Sequence, residues 1–139
     1  MTTSMKLAIP TFVTVLSLLQ CYSLPAQVPS SIRPKRFWDR TTIVLINRVD
    51  DVLTLHCKSK DDVLGVHILQ KGESWEFSFD PNFFFRTLFY CSFQWDGETH
   101  YFDVYKQTRD YRYKKIWWQV KIDGVCSRVT EGLFCFPWN

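Results

Sequence analysis

The 139-residue chain lacks the short motifs that identify most enzyme active sites. It contains neither a Gly-x-Ser-x-Gly nucleophile elbow nor a glycine-rich loop that could cradle a phosphate. Its three histidines, His56, His67 and His100, match no metal-ligand spacing. Two carboxylate pairs, Asp50-Asp51 and Asp61-Asp62, are adjacent in sequence. Nothing in the pattern makes the two members of a pair converge on one bond, as glycoside hydrolysis requires. The sequence therefore predicts no catalytic site, no metal and no cofactor.

The chain also lacks an Asn-x-Ser/Thr sequon and, after residue 26, any apolar run near the roughly 20 residues of a membrane span. Its one long apolar run, residues 7–19, follows Lys6 and precedes the small residues Ser23 and Ala26. A basic residue, a short apolar stretch and small residues in that order are typical of a signal peptide. We expect residues 1–26 to be one, cleaved after Ser23 or Ala26. The mature chain would then be secreted and extracellular, and it would not span a membrane.

Five cysteines would leave one unpaired, but the expected leader removes Cys21. The mature chain keeps an even number, and an even number in a small secreted domain implies two disulfides. These four residues are Cys57, Cys91, Cys126 and Cys135.

Glycine is scarce, at 5 residues, whereas the chain has 12 Phe, 6 Trp and 6 Tyr, a balance that favours strands over helices. Residues 27–40 are basic and proline-rich without an apolar period, so we expect an arm there, ahead of a domain over residues 41–139. Apolar residues alternate in short segments separated by turn residues. The segments predicted as strands are 43–47, 53–58, 66–69, 74–79, 87–95, 100–104, 116–122 and 125–129, with an apolar tail over 133–138 that packs back on the body. Seven or eight strands at this spacing predict an all-β fold, an antiparallel β-sandwich.

Residues 53–65, LTLHCKSKDDVLG, combine a strand that carries a cysteine on its apolar face with an abrupt charged run. The longer motif HCKSKDDVLGVHIL resembles the signature of the plant self-incompatibility S1 family, small secreted proteins also called S-protein homologues. The similarity continues through TLFYCSFQW and WQVKIDGVC and covers roughly residues 42–126. The chain departs from the family at Val63, where a third Asp is common, and at Phe85, near which the family often has Gly. The resemblance implies a β-sandwich that acts as a cell–cell signalling ligand.

The phase of two strands places Cys57 and Cys91 on apolar faces, where their sulfurs could meet in the core. Cys126 would then be left to pair with Cys135, although four cysteines allow three pairings. In the family another Cys often precedes the Trp-Trp stretch, where this chain has Ile116. The resemblance therefore implies that Cys135 has replaced it as the partner.

The charged run between two predicted strands is the first candidate site, a receptor-binding loop. It lacks apolar residues that would anchor it in a core, and loops on a rigid sandwich commonly carry recognition. The alternative is structural: an Asp side chain caps the turn by accepting hydrogen bonds from backbone N–H groups. The candidate residues are Ser59, Lys60, Asp61, Asp62 and Val63.

Residues 105–115 interleave aromatic residues with cations and form a secondary candidate loop. Outside the cell this composition favours an acidic cell-wall polysaccharide or an acidic receptor patch over nucleic acid. The alternative is a solvated loop without a partner. The candidate residues are Lys106, Arg109, Tyr111, Arg112, Tyr113, Lys114 and Lys115.

The resemblance to the self-incompatibility S1 family thus implies a secreted plant recognition ligand that acts on a cell-surface receptor through its surface loops. The rival functions are an extracellular carbohydrate-binding module and, more distantly, a small hydrolase. Binding to glycans through the aromatic loop would favour the module, and turnover of wall polysaccharides would favour the hydrolase.

Overall fold

The computed structural model describes residues 39–129 and 132–138. The predicted signal peptide and residues 27–38 of the predicted arm lie outside these ranges. The described chain forms nine strands and one short helix, and none of its helices is long and apolar enough to cross a bilayer. The elements are β1 Thr41–Asn47, β2 Leu53–Lys58, β3 Val63–Leu69, β4 Ser74–Phe79, β5 Leu88–Trp95, β6 Glu98–Lys106, α1 Gln107–Asp110, β7 Lys115–Lys121, β8 Gly124–Val129 and β9 Gly132–Pro137.

The strands form a five-stranded sheet in the order β4-β1-β7-β8-β9 and a four-stranded sheet in the order β3-β2-β5-β6. The all-β sandwich expected from the sequence is confirmed, with two differences in detail. β9 is a ninth strand where only an apolar tail was expected, and β1 pairs with β7 in parallel. The parallel pair arises because the connection after β6 crosses between the sheets and returns the chain beside the start of β1.

The core lies between the two sheets and follows the period-two pattern of the sequence. In β2, Leu53, Leu55 and Cys57 are buried and alternate with partly exposed residues. β5 buries Phe89, Cys91, Phe93 and Trp95 in the same way. The other sheet buries Ile43, Leu45, Ile116, Trp118, Val120 and Val125. Each large apolar side chain removed from water stabilises the fold by about 1.5–3 kcal/mol.

Two disulfides join neighbouring strands. Cys57 and Cys91 lie opposite each other on β2 and β5, and their side chains are fully buried. Cys126 and Cys135 lie opposite each other on β8 and β9. The two loops close over sequence separations of 34 and 9 residues. In the loop-entropy account, the Cys57–Cys91 disulfide stabilises the folded state by about 4 kcal/mol and the Cys126–Cys135 disulfide by about 2.5 kcal/mol.

The strand directions divide the connections between two ends of the sandwich. One end, which we call the loop end, carries residues 59–62 between β2 and β3, residues 80–87 between β4 and β5, and residues 107–114 between β6 and β7. The opposite end, which we call the turn end, carries residues 48–52, 70–73, 96–97 and 122–123.

Candidate recognition surface

Both segments singled out in the sequence lie at the loop end. The topology requires this, because β2 and β6 run in the same direction: each pairs antiparallel with β5. The carboxylate pairs, in contrast, lie at opposite ends, with Asp50 and Asp51 at the turn end and Asp61 and Asp62 at the loop end. The two pairs therefore do not converge on a common centre.

The turn at residues 59–62 is closed by its backbone and by a serine. The Ser59 N–H donates to the carbonyl of Asp62 at 2.8 Å. The Ser59 hydroxyl accepts from the backbone N–H of Asp62 at 3.1 Å and of Asp61 at 3.4 Å. Ser59 thus caps the turn by accepting hydrogen bonds from backbone N–H groups, the role expected of an Asp in the structural alternative. It supports the loop from a half-buried position rather than presenting a free side chain.

The three side chains beyond that cap are exposed. Lys60, Asp61 and Asp62 make no side-chain hydrogen bond or ion pair within the described ranges 39–129 and 132–138. One cation and two carboxylates therefore face solvent on a turn whose backbone is fixed by other groups. Such charges are available to a partner without first breaking an internal contact.

Val63 was predicted in the loop, and the structure corrects this. It is the first residue of β3, pairs with Lys58 and is 72% exposed. With Val66 and Ile68 it faces outward on an edge strand, so the core places no constraint on its type. Gly65 lies inside β3 with φ 78°, where the register with β2 shifts. Only glycine adopts that backbone without a steric cost.

The basic-aromatic segment is more ordered than the predicted loop. Lys106 ends β6, residues 107–110 form α1, and Lys115 begins β7. Within or beside the segment, Tyr105, Gln107 and Asp110 are buried. Burial raises the pKa of the Tyr105 phenol to about 12, although the nearby Thr41 side chain partly offsets this effect. The Tyr105 hydroxyl makes no hydrogen bond of normal geometry within the described residues.

Arg109, one of the predicted binding cations, is committed to the fold. Its Nε and Nη2 donate to the two carboxylate oxygens of Asp110 at 2.8 and 2.7 Å, and Nη2 also donates to the carbonyl of Asp103 at 2.8 Å. Its guanidinium carbon lies 5.4–5.6 Å from the centres of three aromatic rings, those of Phe102, Trp118 and Phe136. A planar cation among aromatic rings is held by cation–π attraction. Most of its donors are therefore engaged within the fold, and its role as a contact for a partner stays a prediction.

The other predicted cations of the segment are exposed, and three of them have surface partners. Lys114 pairs with Asp39 at 2.7 Å, and Lys115 pairs with Glu76 at 3.5 Å and lies over the Trp117 ring. Arg112 donates to the Tyr111 hydroxyl at 3.0 Å and lies over that ring. Exposed pairs of this kind contribute only about 0–1 kcal/mol, so a partner could displace them at little cost. Lys106 is exposed, and Tyr113 is half-buried.

No role was predicted for residues 80–87, yet they carry the most exposed rings at the loop end. Phe83 and Phe84 are 68% and 73% exposed and pack edge-to-face on each other, with ring centres 5.7 Å apart. Phe85 adopts φ 64°, in a region that favours glycine. This is the position near which the self-incompatibility S1 family often has Gly. The Phe85 ring packs on Tyr111 at 5.1 Å. The run of three phenylalanines in a predicted loop was the sequence feature that could have identified this surface.

A buried amide holds this aromatic loop. Gln107 Nε2 donates to the carbonyl of Asn82 at 2.8 Å, and Gln107 Oε1 accepts from the Thr87 N–H at 2.9 Å. Asn82 adds two further bonds: its N–H donates to the Thr87 hydroxyl, and its Oδ1 accepts from the Phe84 N–H, both at 2.7 Å. The two exposed rings are consequently presented on a fixed backbone.

The histidines do not form a site. His67 stacks on Trp75 with ring centres 3.9 Å apart and contacts the Leu64 carbonyl at 2.8 Å. His100 stacks on both Trp95 and Trp138, with ring centres 4.8 Å from each. Residues 39–129 and 132–138 contain no group of three or more His, Cys, Asp or Glu side chains placed to hold a metal ion.

These observations define a small disulfide-bonded β-sandwich with a candidate recognition surface at one end. The model of the family described as plant self-incompatibility protein S1 matches residues 42–138. The chain belongs to the plant self-incompatibility protein S1 family.

Named relatives agree with this assignment. The chain is 41% identical to S-protein homolog 2 of Arabidopsis thaliana over 122 residues, which cover 80% of this chain and 76% of that protein. It is 41% identical to S-protein homolog 5 of the same plant over 105 residues, covering 74% and 81%. A solved structure of a self-incompatibility protein homologue covers 74% of this chain and 97% of its own, with a TM-score of 0.55 and 17% identity. That likeness shows the fold.

Proposed function

We propose that the protein is a secreted plant ligand that binds a cell-surface receptor through the loop end of its sandwich. One observation carries the proposal: the free charges of residues 60–62 and the exposed Phe83 and Phe84 rings are held at one end on backbones fixed by Ser59 and Gln107. Preorganised loops bind more tightly because little conformational freedom is lost on binding.

The chemistry of this end fits a protein partner. Aromatic side chains dominate the binding energy of many protein interfaces, and charged residues around them steer the encounter and select the partner. Phe83 and Phe84 supply the apolar anchor, and Lys60, Asp61 and Asp62 supply both signs of charge. The proposed partner is therefore a receptor patch that combines an apolar recess with charges of both signs.

Secretion is part of this proposal. The family neighbour of known structure is described as one of a widespread family of small, highly stable, secreted proteins from plants. Residues 1–26 have the composition of a signal peptide. N-terminal sequencing of protein recovered from the plant extracellular fluid should begin at Leu24 or Gln27. A mature form that retains residues 7–19 would contradict secretion by this route.

A carbohydrate-binding module is the second candidate, supported by the exposed cations Lys106, Arg112 and Lys114 near Tyr111. Acidic wall polysaccharide would suit these charges. It is the weaker candidate because Arg109 is withdrawn into the fold and Lys114 already has a carboxylate partner. We do not propose a hydrolase, since the carboxylate pairs lie at opposite ends of the sandwich.

The experiment compares binding of the labelled mature protein to plant plasma-membrane vesicles and to pectin. The double variant Phe83→Ala/Phe84→Ala should lose at least tenfold in vesicle affinity, as expected when interface anchors are truncated. Tyr101→Ala is the matched control, because that ring is 71% exposed on the outer face of the four-stranded sheet, away from the loop end. Equal losses in the two variants would contradict the proposal, and saturable binding to pectin alone would favour the module.

A further inference from the structure

The two sheets differ in strand number, and this leaves the inner face of β9 partly uncovered. Phe134 and Phe136 lie opposite Ser127 and Val125 in register, so all four side chains point toward the same side of the sheet. Ser127 and Val125 are buried, but Phe134 and Phe136 remain 51% and 37% exposed. The four-stranded sheet ends at β6, from which Phe102 reaches the Phe136 ring at 5.5 Å. The sandwich is therefore open along this edge.

A cavity of about 160 Å³ occupies this opening, and its walls are mainly aromatic. They include Tyr113, Ile116, Trp118, Phe134 and Phe136. The orientation of the Trp118 ring is fixed by a hydrogen bond, because its indole N–H donates to the Val104 carbonyl at 2.8 Å. An apolar cavity of about 150 Å³ is large enough for a single benzene ring. The space and its lining therefore suit one small ring.

The buried hydroxyl in the lining has no partner within the described residues. The Ser127 hydroxyl is buried, with its residue 3% exposed, and makes no hydrogen bond there. A buried hydroxyl without a hydrogen bond is unfavourable, so most such groups have a partner. A ligand with one hydroxyl or carbonyl group would supply it.

The charge of the cavity rim favours a neutral ligand. Arg109 and Asp110 both line the cavity, and they neutralise each other through two charge-assisted hydrogen bonds. Asp110 Oδ2 additionally accepts from the Lys106 N–H at 2.9 Å, which leaves little acceptor capacity for a ligand. Arg109 Nη1 makes no hydrogen bond among residues 39–129 and 132–138 and keeps its donors. A carboxylate on the ligand would be repelled by the Asp110 carboxylate. A neutral ligand oxygen could accept a hydrogen bond from Arg109 Nη1 without that repulsion.

We propose that this cavity between β9 and the α1–β7 connection binds a small neutral aromatic molecule carrying a single hydroxyl or carbonyl group. The ring packs among Trp118, Phe134 and Phe136, and its oxygen bonds to the Ser127 hydroxyl. This site is separate from the receptor-binding role and does not depend on it.

The test uses phenol as the probe, with toluene and benzoate as probes of similar size, on the mature protein. Phenol should bind saturably, shift the NMR signals of Trp118, Ser127 and Phe136, and bind at least fivefold more tightly than benzoate. Absence of saturable phenol binding, or shifts confined to other residues, would overturn the proposal. Both comparisons use the wild-type protein and therefore do not depend on the folding of a variant.

Ser127→Ala separates the hydrogen bond from the space. Phenol affinity should fall about tenfold, the equivalent of one lost hydrogen bond, and toluene affinity should stay within about twofold. Ser92→Ala is the matched control, since Ser92 lies on the outer face of the other sheet and should leave both affinities unchanged. Equal phenol binding by Ser127→Ala and wild type would contradict the assigned contact.

Discussion

The two ends of the sandwich are supported in the same way but carry different surfaces. Each has a buried side-chain amide that ties its connections together: Gln107 at the loop end and Asn47 at the turn end. Asn47 Nδ2 donates to the carbonyls of Asp51 and Leu69 at 2.8 and 3.0 Å, and its Oδ1 accepts from the Val49 N–H at 2.8 Å. What differs is the length and content of the connections that these amides hold.

The turn end is built from short connections and is acidic. Gly72 and Gly97 adopt φ 85° and 73° there, which allows tight turns. Its carboxylates outnumber its cations: Asp50, Asp51, Glu73, Asp96, Glu98 and Asp123 against Arg48, Lys71 and Lys121. Lys71 bonds to Asp50 and lowers the pKa of that carboxyl. An excess of charge of one sign on a surface opposes self-association.

The loop end has longer connections, more cations and exposed rings. Its cations are Arg40, Lys60, Arg86, Lys106, Arg109, Arg112, Lys114 and Lys115, against Asp39, Asp61, Asp62, Asp80 and Asp110. Phe83 and Phe84 are exposed there without being needed in the core. The two ends therefore have similar structural support and unequal surface chemistry, and the following predictions test that difference.

The largest effect should come from removing the covalent bond beside the loop end. Cys57→Ala/Cys91→Ala should lower the free energy of unfolding by about 3–4 kcal/mol, because it opens a 34-residue loop inside the core. Cys126→Ala/Cys135→Ala should cost less, about 2–3 kcal/mol, for a 9-residue loop. Urea unfolding measures both. Non-reducing peptide mapping checks the pairing, and a peptide linking Cys57 to Cys126 or Cys135 would contradict it.

The two buried amides provide a matched pair. Gln107→Ala and Asn47→Ala should each destabilise the protein by about 2–3 kcal/mol, since each leaves buried backbone groups without partners. Vesicle binding by the folded fraction should weaken only for Gln107→Ala, because only that amide holds the aromatic loop. Equal loss of vesicle binding in the two variants would contradict the claim that the loop end, and not the turn end, binds the partner.

Tyr105 gives a pH test at the base of the loop end. Its pKa is raised to about 12 by burial, whereas the unfolded value is near 10. Between these values the folded state retains a proton that the unfolded state loses, so stability falls as pH rises from about 10 to 12. The loss can reach about 2–3 kcal/mol. Tyr105→Phe should remove this part of the alkaline destabilisation in urea unfolding series, with little change at pH 7. An unchanged alkaline profile would contradict the assignment.

Local sequence patterns sufficed for most strands, because alternation at Leu53, Leu55 and Cys57 directly reports which face meets the core. They failed where the decisive contacts come from distant strands. Val63 was predicted in the loop because the outer face of an edge strand needs no alternation of apolar and polar residues, so the sequence does not mark where β3 begins. The parallel pairing of β1 and β7 depends on the route of a connection between sheets. No local period reports such a route.

The candidate site shows the same limit. The charged turn at residues 60–62 was recognisable because it interrupts a strand pattern with charges and no apolar anchor. The aromatic surroundings of Arg109 were not predicted because the rings belong to β6, β7 and β9, which only the tertiary fold brings together. Gln107 could not be identified as the support of residues 80–87 for the same reason.

The most direct measurement separates binding from stability at the two ends with charge-matched variants. The loop-end triple variant is Lys60→Ala/Asp61→Ala/Asp62→Ala. The turn-end control is Glu73→Ala/Lys121→Ala/Asp123→Ala, which likewise removes one cation and two carboxylates. Both should change the free energy of unfolding by less than about 0.5 kcal/mol, because their side chains make no hydrogen bond or ion pair within the described residues.

Vesicle binding by the loop-end variant should weaken at least tenfold, and its salt dependence should shrink because charge steering is screened by ions. The turn-end control should bind as wild type does. Intact binding with a lowered stability in the loop-end variant would show that residues 60–62 serve the fold, and an equal loss in the control would show that overall charge, not the loop end, governs recognition.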